Sequence, residues 1–174
     1  MHWPQGFQDG RYLQPEESPT VHETWAEMVK LLDSGKVRAL GVSNFGVPIL
    51  KSLLENSKVV PAVNQVELHP CLPKLELREL CTQHGIVVTA YSPIGQPKAG
   101  KPSPLLSDES IKSIAKSLGV TEGQVLLSWA VQQGIVVVPK SESPERMKAN
   151  LSVSLPFSDE TKSRWSEAKV EDSL

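Results

Sequence analysis

Two rhythms of apolar residues alternate along the chain. Val21, Trp25, Met28 and Leu32 recur at helical spacing, and the next apolar run, Val37 to Val42, is short and rich in β-branched residues. The alternation then repeats. Val47, Leu50, Leu53 and Leu54 form a helical stripe, Ala62 to Leu68 reads as a strand, and Leu72 to His84 is again helical. Ile86 to Tyr91 is a third strand, Ile111 to Leu118 and Thr121 to Gln133 are two further helices, and Ile135 to Val138 is a fourth strand. That last run, uniformly apolar, predicts a strand buried on both faces. A helix opening at Pro144 and a short one around Trp165 complete the series.

Start and stop signals support these boundaries. Thr20 with Glu23, and Thr121 with Gln124, fit the reciprocal capping pattern, in which a hydroxyl and an N3 side chain each satisfy an orphan backbone N–H. Gly85, Gly119 and Gly134 stand where helices should stop. Residues 5 to 19 and the Pro/Gly/Lys stretch from Pro93 to Pro104 read as exposed loops.

Strands separated by helices must pair in parallel through crossovers. The predicted fold class is therefore α/β. Four strand–helix units make about half of a (β/α)8 TIM-type barrel, which takes about 250 residues, so one incomplete barrel domain over residues 1 to 174 is expected. No GxGxxG follows any strand, which argues against a Rossmann domain. Met1, His2, Trp3 and Pro4 open the chain without a preceding strand or cap, as a severed element would.

Composition narrows the partners. A net charge of −2 disfavours nucleic acid and polybasic membrane binding. No apolar run nears the ~20 residues that span a bilayer, and the first ten residues lack the features of a secretory leader, so a cytoplasmic location is expected. Cys71 and Cys81, without a CxxC or a His at ligand spacing, predict reduced thiols and no metal site.

The chemistry-bearing residues fall at predicted strand C-termini, where parallel α/β folds bind ligands. Ser43 and Asn44 end the first strand, Asn64, Gln65 and Glu67 lie in the second, and Ser92 follows the third. After the fourth come Lys140 and Ser141. With Ser143 as N-cap and Pro144 at the first helical position, free backbone N–H groups, Lys140, Ser141 and Arg146 suit an anion. The same residues also suit a plain strand-to-helix loop with solvated charges, or a phosphosugar site on an unrelated half barrel.

Five segments, in order and spacing, resemble the aldo-keto reductase family: HWPQGF (2–7), GKVRALGVSNF (35–45), NQVELHP (64–70), AYSPIG (90–95) and VPKSESPERMKAN (138–150). The resemblance is to its aldose and aldehyde reductases. It implies NADP(H) bound at the C-terminal mouth of a barrel and hydride transfer between the nicotinamide and an aldehyde or ketone. By the same resemblance His2 is catalytic, orienting the substrate carbonyl, and Trp3 walls the substrate pocket. Ser43, Asn44 and Gln65 hold the nicotinamide carboxamide, Tyr91 stacks on its ring, and Ser92 with the following loop, including Gln96 and Lys98, covers the pyrophosphate. Lys140, Ser141 and Arg146 take the adenosine 2′-phosphate, and Asn150 touches adenine. Ala149 stands where the family has an acid or amide, and Glu142 adjoins the phosphate residues.

The family's catalytic Tyr, Lys and Asp lie on strands before HWP, and Tyr12 lacks their DxxxxY context. The expectation is a truncated chain that retains the cofactor residues and His2 with little turnover, and with only a short C-terminal substrate loop. A non-catalytic nucleotide-binding half barrel is the alternative, and self-association through open barrel edges is a further expectation. Glu67 and His69 are expected to be structural partners, and His84 a charge at a helix C-terminus.

Overall fold

The computed structural model describes residues 1–97, 100 and 102–153. The expected helix around Trp165 and the loop residue Lys98 lie outside them. Thirteen elements follow in order: β1 (Phe7–Gln8), β2 (Arg11–Tyr12), α1 (Val21–Asp33), β3 (Gly41–Ser43), α2 (Val47–Asn56), β4 (Val63–Glu67), α3 (Leu75–Gln83), β5 (Val87–Tyr91), α4 (Pro104–Ser107), α5 (Glu109–Leu118), α6 (Glu122–Val131), β6 (Val136–Val137) and α7 (Pro144–Asn150). A parallel sheet in the order β3-β4-β5-β6 carries helical crossovers, the α/β fold of an incomplete barrel. Its β3–β4 register pairs Gly41 with Val63, Val42 with Asn64 and Ser43 with Gln65.

Both capping boxes form: the Thr20 hydroxyl accepts from the Glu23 N–H, and the Thr121 hydroxyl accepts from the Gln124 N–H. Ser143 caps α7 by accepting from the Arg146 N–H. Gly119 ends α5 at φ 67°, a left-handed conformation open to a residue without Cβ.

Four expectations need correction. The strand expected over Val37 to Val42 is only Gly41–Ser43, because the ladder begins where Gly41 meets Val63; Leu40 contributes its carbonyl to the Ala62 N–H at 2.8 Å. The fourth strand is not buried on both faces. Ile135 is 4% exposed but Val136 is 47% and Val138 46%, as expected of a strand at the end of the sheet order with one face uncovered. Residues 5 to 19 are not all loop. Phe7 pairs with Tyr12 and Gln8 with Arg11 across Asp9 (φ 52°) and Gly10 (φ 79°), and successive left-handed residues give the tight turn that matches strand twist. The stretch before Pro104 also contains an N-cap, Ser103, whose hydroxyl accepts from the Leu105 N–H and starts α4.

The chain gathers into two compact units, residues 1–66 with 74–89, and residues 67–73 with Ala90 onward. In the first, Trp25, Val42, Phe45, Leu50, Leu53 and Val66 are buried. Two polar ties join α1 to the α2 end: His22 Nε2 lies 3.0 Å from Ser52 Oγ, and Trp25 Nε1 donates to Ser57 Oγ at 3.0 Å. The core of the second unit is Leu105, Ile111, Ile114, Ala115, Val125 and Leu126. There α6 anchors the chain beyond α7: Gln124 Nε2 donates to the Ser152 carbonyl at 3.0 Å and Ser128 Oγ to the Val153 carbonyl at 2.5 Å. No helix of the described residues is long and apolar enough to cross a membrane.

Candidate cofactor and substrate site

In the first unit the residues predicted for the nicotinamide carboxamide, Ser43, Asn44 and Gln65, come together where the C-terminal end of β3 meets the middle of β4. The Gln65 carbonyl is the hub. It accepts from the Asn44 N–H at 2.9 Å and from Ser43 Oγ at 2.7 Å. With its proton so engaged, Ser43 Oγ accepts from Asn44 Nδ2 at 3.2 Å, and the same Nδ2 donates to the His2 carbonyl at 3.0 Å. Asn44 takes φ 64°, and asparagine is among the few residues with a Cβ that enter the left-handed region readily. The half-buried Gln65 side chain has no hydrogen bond to a described residue, leaving its amide N–H groups and oxygen for an outside partner.

His2 joins this cluster through its backbone carbonyl; the His2 and Trp3 rings stack on each other, with centroids 5.9 Å apart and planes 28° apart, and both residues are exposed. They border an open, mostly apolar depression of about 590 Å³ whose other walls include Gly6, Phe7, Tyr12 and Val21. Phe7 and Tyr12 meet edge-on at 5.2 Å across the hairpin. Their pairing across a hairpin differs from the exposed loop expected over residues 5 to 19. The signal was there: Asp9-Gly10 flanked by aromatic residues marks a two-residue hairpin.

The second unit holds the other predicted residues. Tyr91 is half-buried at the end of β5; burial first, then the charge of Glu67, pushes its phenol pKa up. Ser92 follows in the left-handed region, φ 47°, and its hydroxyl accepts from Gln96 Nε2 at 3.1 Å. Gly95 closes that turn, its N–H donating to the Ser92 carbonyl at 2.8 Å. Glu67 and His69 approach within 3.7 Å, the structural pairing expected of them, and in the first unit His84 is the C-cap of α3.

Lys140 and Ser141 lie on the loop into α7, and Arg146 stands in the first turn of that helix. Lys140 is exposed and ion-paired with Glu142, whose carboxyl pKa is lowered by that hydrogen bond and charge. Ser141 Oγ accepts from the Ser143 N–H at 3.3 Å, and Arg146 is exposed. The expectation of free N–H groups at this helix start holds only in part, because Ser143 Oγ takes the Arg146 N–H at 3.2 Å and α7 is a mere seven residues. Any anion held here would depend on side-chain charge. Asn150, half-buried, ends α7. Cys71 and Cys81 are free thiols, and no group of three His, Cys, Asp or Glu suited to a metal ion occurs among the described residues.

Aldose reductase B of Dictyostelium discoideum is 42% identical over 166 residues, a match covering 88% of this chain and 52% of that protein. Among solved structures, aldose reductase from Giardia lamblia superposes with a TM-score of 0.88 at 33% identity, over 97% of this chain and 60% of the other. An aldo-keto reductase of the silkworm Bombyx mori, complexed with NADPH, gives 0.84 at 32% identity over 96% and 52%. The chain thus spans about half the length of the relatives it matches. The sequence model of the Aldo/keto reductase family matches residues 1–170, and the chain belongs to that family.

Proposed function

We propose that this chain binds NADP(H) and belongs to a machinery that interconverts an aldehyde or ketone with its alcohol. The observation that carries the proposal is the Ser43–Asn44–Gln65 cluster at two neighbouring parallel strand ends. A nicotinamide carboxamide needs both donors and acceptors, and the Gln65 side-chain amide offers both. The silkworm relative's NADPH complex supports the same cofactor.

Each residue then has a task. Gln65 and Asn44 orient the carboxamide, and Ser43 holds Asn44 in place. Tyr91 stacks on the nicotinamide and fixes which face is presented, while Ser92 borders the pyrophosphate. Lys140, Ser141 and Arg146 meet the 2′-phosphate, and Asn150 touches the adenine. NADPH, when bound, supplies the hydride for the carbonyl carbon, and a proton on the oxygen completes the alcohol. His2 orients that oxygen, and Trp3 gives the substrate an apolar wall. The free thiols suit a cytoplasmic setting. Self-association through β3 and β6, which end the strand order, belongs to the same proposal.

A second reading, cofactor binding without turnover, is favoured by the exposure of both His2 and Tyr12, since neither is held in a water-excluded setting for proton transfer. One sample separates the two. NADPH binding, followed by fluorescence, accompanied by aldehyde-dependent loss of reduced nicotinamide absorbance supports the reductase. Binding without that loss supports the second reading, and absence of binding removes both.

A further inference from the structure

Behind the Ser43–Asn44 turn lies a polar side chain to which no role has been given. Asn64, the second residue of β4, is fully buried, at 0% exposure. Burying an amide is costly without partners, and an apolar residue would ordinarily occupy such a position. Its Nδ2 donates to the Phe45 carbonyl at 2.9 Å, the residue directly after Asn44. Its Oδ1 meets no N–H or O–H donor among the described residues. The Cys81 thiol lies beside the Asn64 amide, a contact that partly offsets the rise burial imposes on the thiol pKa.

The turn is therefore tied on both sides of Asn44. Before it, Ser43 Oγ is fixed to the Gln65 carbonyl at 2.7 Å, and at Asn44 itself the N–H is fixed to the same carbonyl at 2.9 Å. After it, Phe45 is held by its fully buried ring and by Asn64. A left-handed residue keeps its side-chain direction only while both flanks are fixed, since a change in either flanking dihedral swings the Cβ. Asn64 is the only side chain bonded to the downstream flank among the described residues.

We infer that Asn64 is a positioning residue which, through the Phe45 carbonyl, aims the Asn44 amide at the nicotinamide carboxamide. The inference rests on the NADP(H) reading above. Its consequence is local to one end of the cofactor: loss of Asn64 should weaken ligands that carry nicotinamide and spare those that carry only the phosphoadenosine end.

The test uses the 174-residue chain and two ligands, NADPH and 2′,5′-ADP, which lacks nicotinamide. Asn64→Leu keeps the approximate volume and removes the donor. NADPH should bind about tenfold more weakly, the effect of losing one well-aligned hydrogen bond, while 2′,5′-ADP binding stays within about twofold. The 2′,5′-ADP titration doubles as a check of folding. If Asn64→Leu does not fold, Asn64→Ser, whose hydroxyl is too short to reach the carbonyl, is read in the same way. Removing Asn44 as well should cost nothing further, because Asn64 acts through it. Equal weakening of both ligands, or unchanged NADPH binding, overturns the inference. If the unaltered chain binds neither ligand, the NADP(H) reading fails and the inference falls with it.

Discussion

Replacing Asn44 by Ala and, separately, by Gly divides its backbone role from its side-chain role. Both changes remove the Nδ2 bonds to the His2 carbonyl at 3.0 Å and to Ser43 Oγ at 3.2 Å, together about 1 kcal/mol at this half-buried position. They differ in the backbone. Alanine must hold φ 64° against the left-handed penalty of about 1–2 kcal/mol, whereas glycine pays only about 0.5 kcal/mol in unfolded-chain entropy. Asn44→Ala should therefore destabilise by about 2–3 kcal/mol and Asn44→Gly by about 1–2 kcal/mol. In a chain of this size each kcal/mol lowers the melting temperature by about 2–4 °C, so thermal unfolding followed by circular dichroism should place the Ala variant lower by about that interval. NADPH titration should show the same loss, about tenfold, in both variants, because the amide is gone from both. Equal melting temperatures would refute the left-handed strain. Unchanged NADPH affinity would remove Asn44 from the cofactor site.

Other perturbations address separate features. Lys140→Met should raise the Kd for NADPH about tenfold, the Coulombic worth of one solvated cation beside a dianion, with NADH changed less than about twofold; Glu142→Gln, which releases Lys140, should shift NADPH binding severalfold the other way. Equal effects on NADPH and NADH would sink the 2′-phosphate assignment. Gly95→Ala places a Cβ 2.4 Å from Ser103 Oγ and 3.0 Å from Leu105 Cδ1 at φ 71°, and denaturant unfolding should register a loss of about 2 kcal/mol or more. Glu17 is held at a pKa of about 2, mainly by its hydrogen bond to Arg11, below its ordinary 4.5. A depressed carboxyl stabilises the folded form above the unfolded pKa and loses that contribution as pH falls through the folded one. The β1–β2 hairpin should thus loosen between about pH 4.5 and 2, seen as a smaller protection factor, relative to the intrinsic exchange rate at each pH, for the Leu13 amide, whose N–H donates to the Gly6 carbonyl. A protection factor unchanged by acid would show that Arg11–Glu17 does not hold the turn.

Local signals were the most legible part of the fold. Thr20 and Thr121 announce their helices because a cap is a contact between residues three apart, and so is written in adjacent sequence. Strand extent is a different matter. Val37 to Val42 reads as a strand by residue type, yet only Gly41–Ser43 has a partner, and the partner lies more than twenty residues away. The apolar run Ile135 to Val138 likewise suggests burial on both faces, but exposure depends on what covers the sheet there. In the candidate site, Ser43, Asn44 and Gln65 stand out in the sequence as polar residues at strand ends, and in the fold Ser43 Oγ and the Asn44 N–H converge on the Gln65 carbonyl. Asn64 stood one residue from Gln65 without a role. In the fold it bonds to Phe45, nineteen residues earlier, a contact that no periodicity reveals. The pairing of Lys140 with Glu142 was foreshadowed only by their nearness in sequence.

Titrating the 174-residue chain with NADPH and with NADH, by quenching of its tryptophan fluorescence, is the most direct measurement. Binding through Lys140, Ser141, Arg146 and the strand-end amides predicts saturable binding of NADPH, at least about tenfold tighter than NADH and competed by 2′,5′-ADP. No saturable binding of NADPH, or equal affinity for the two nucleotides with no competition by 2′,5′-ADP, would contradict it.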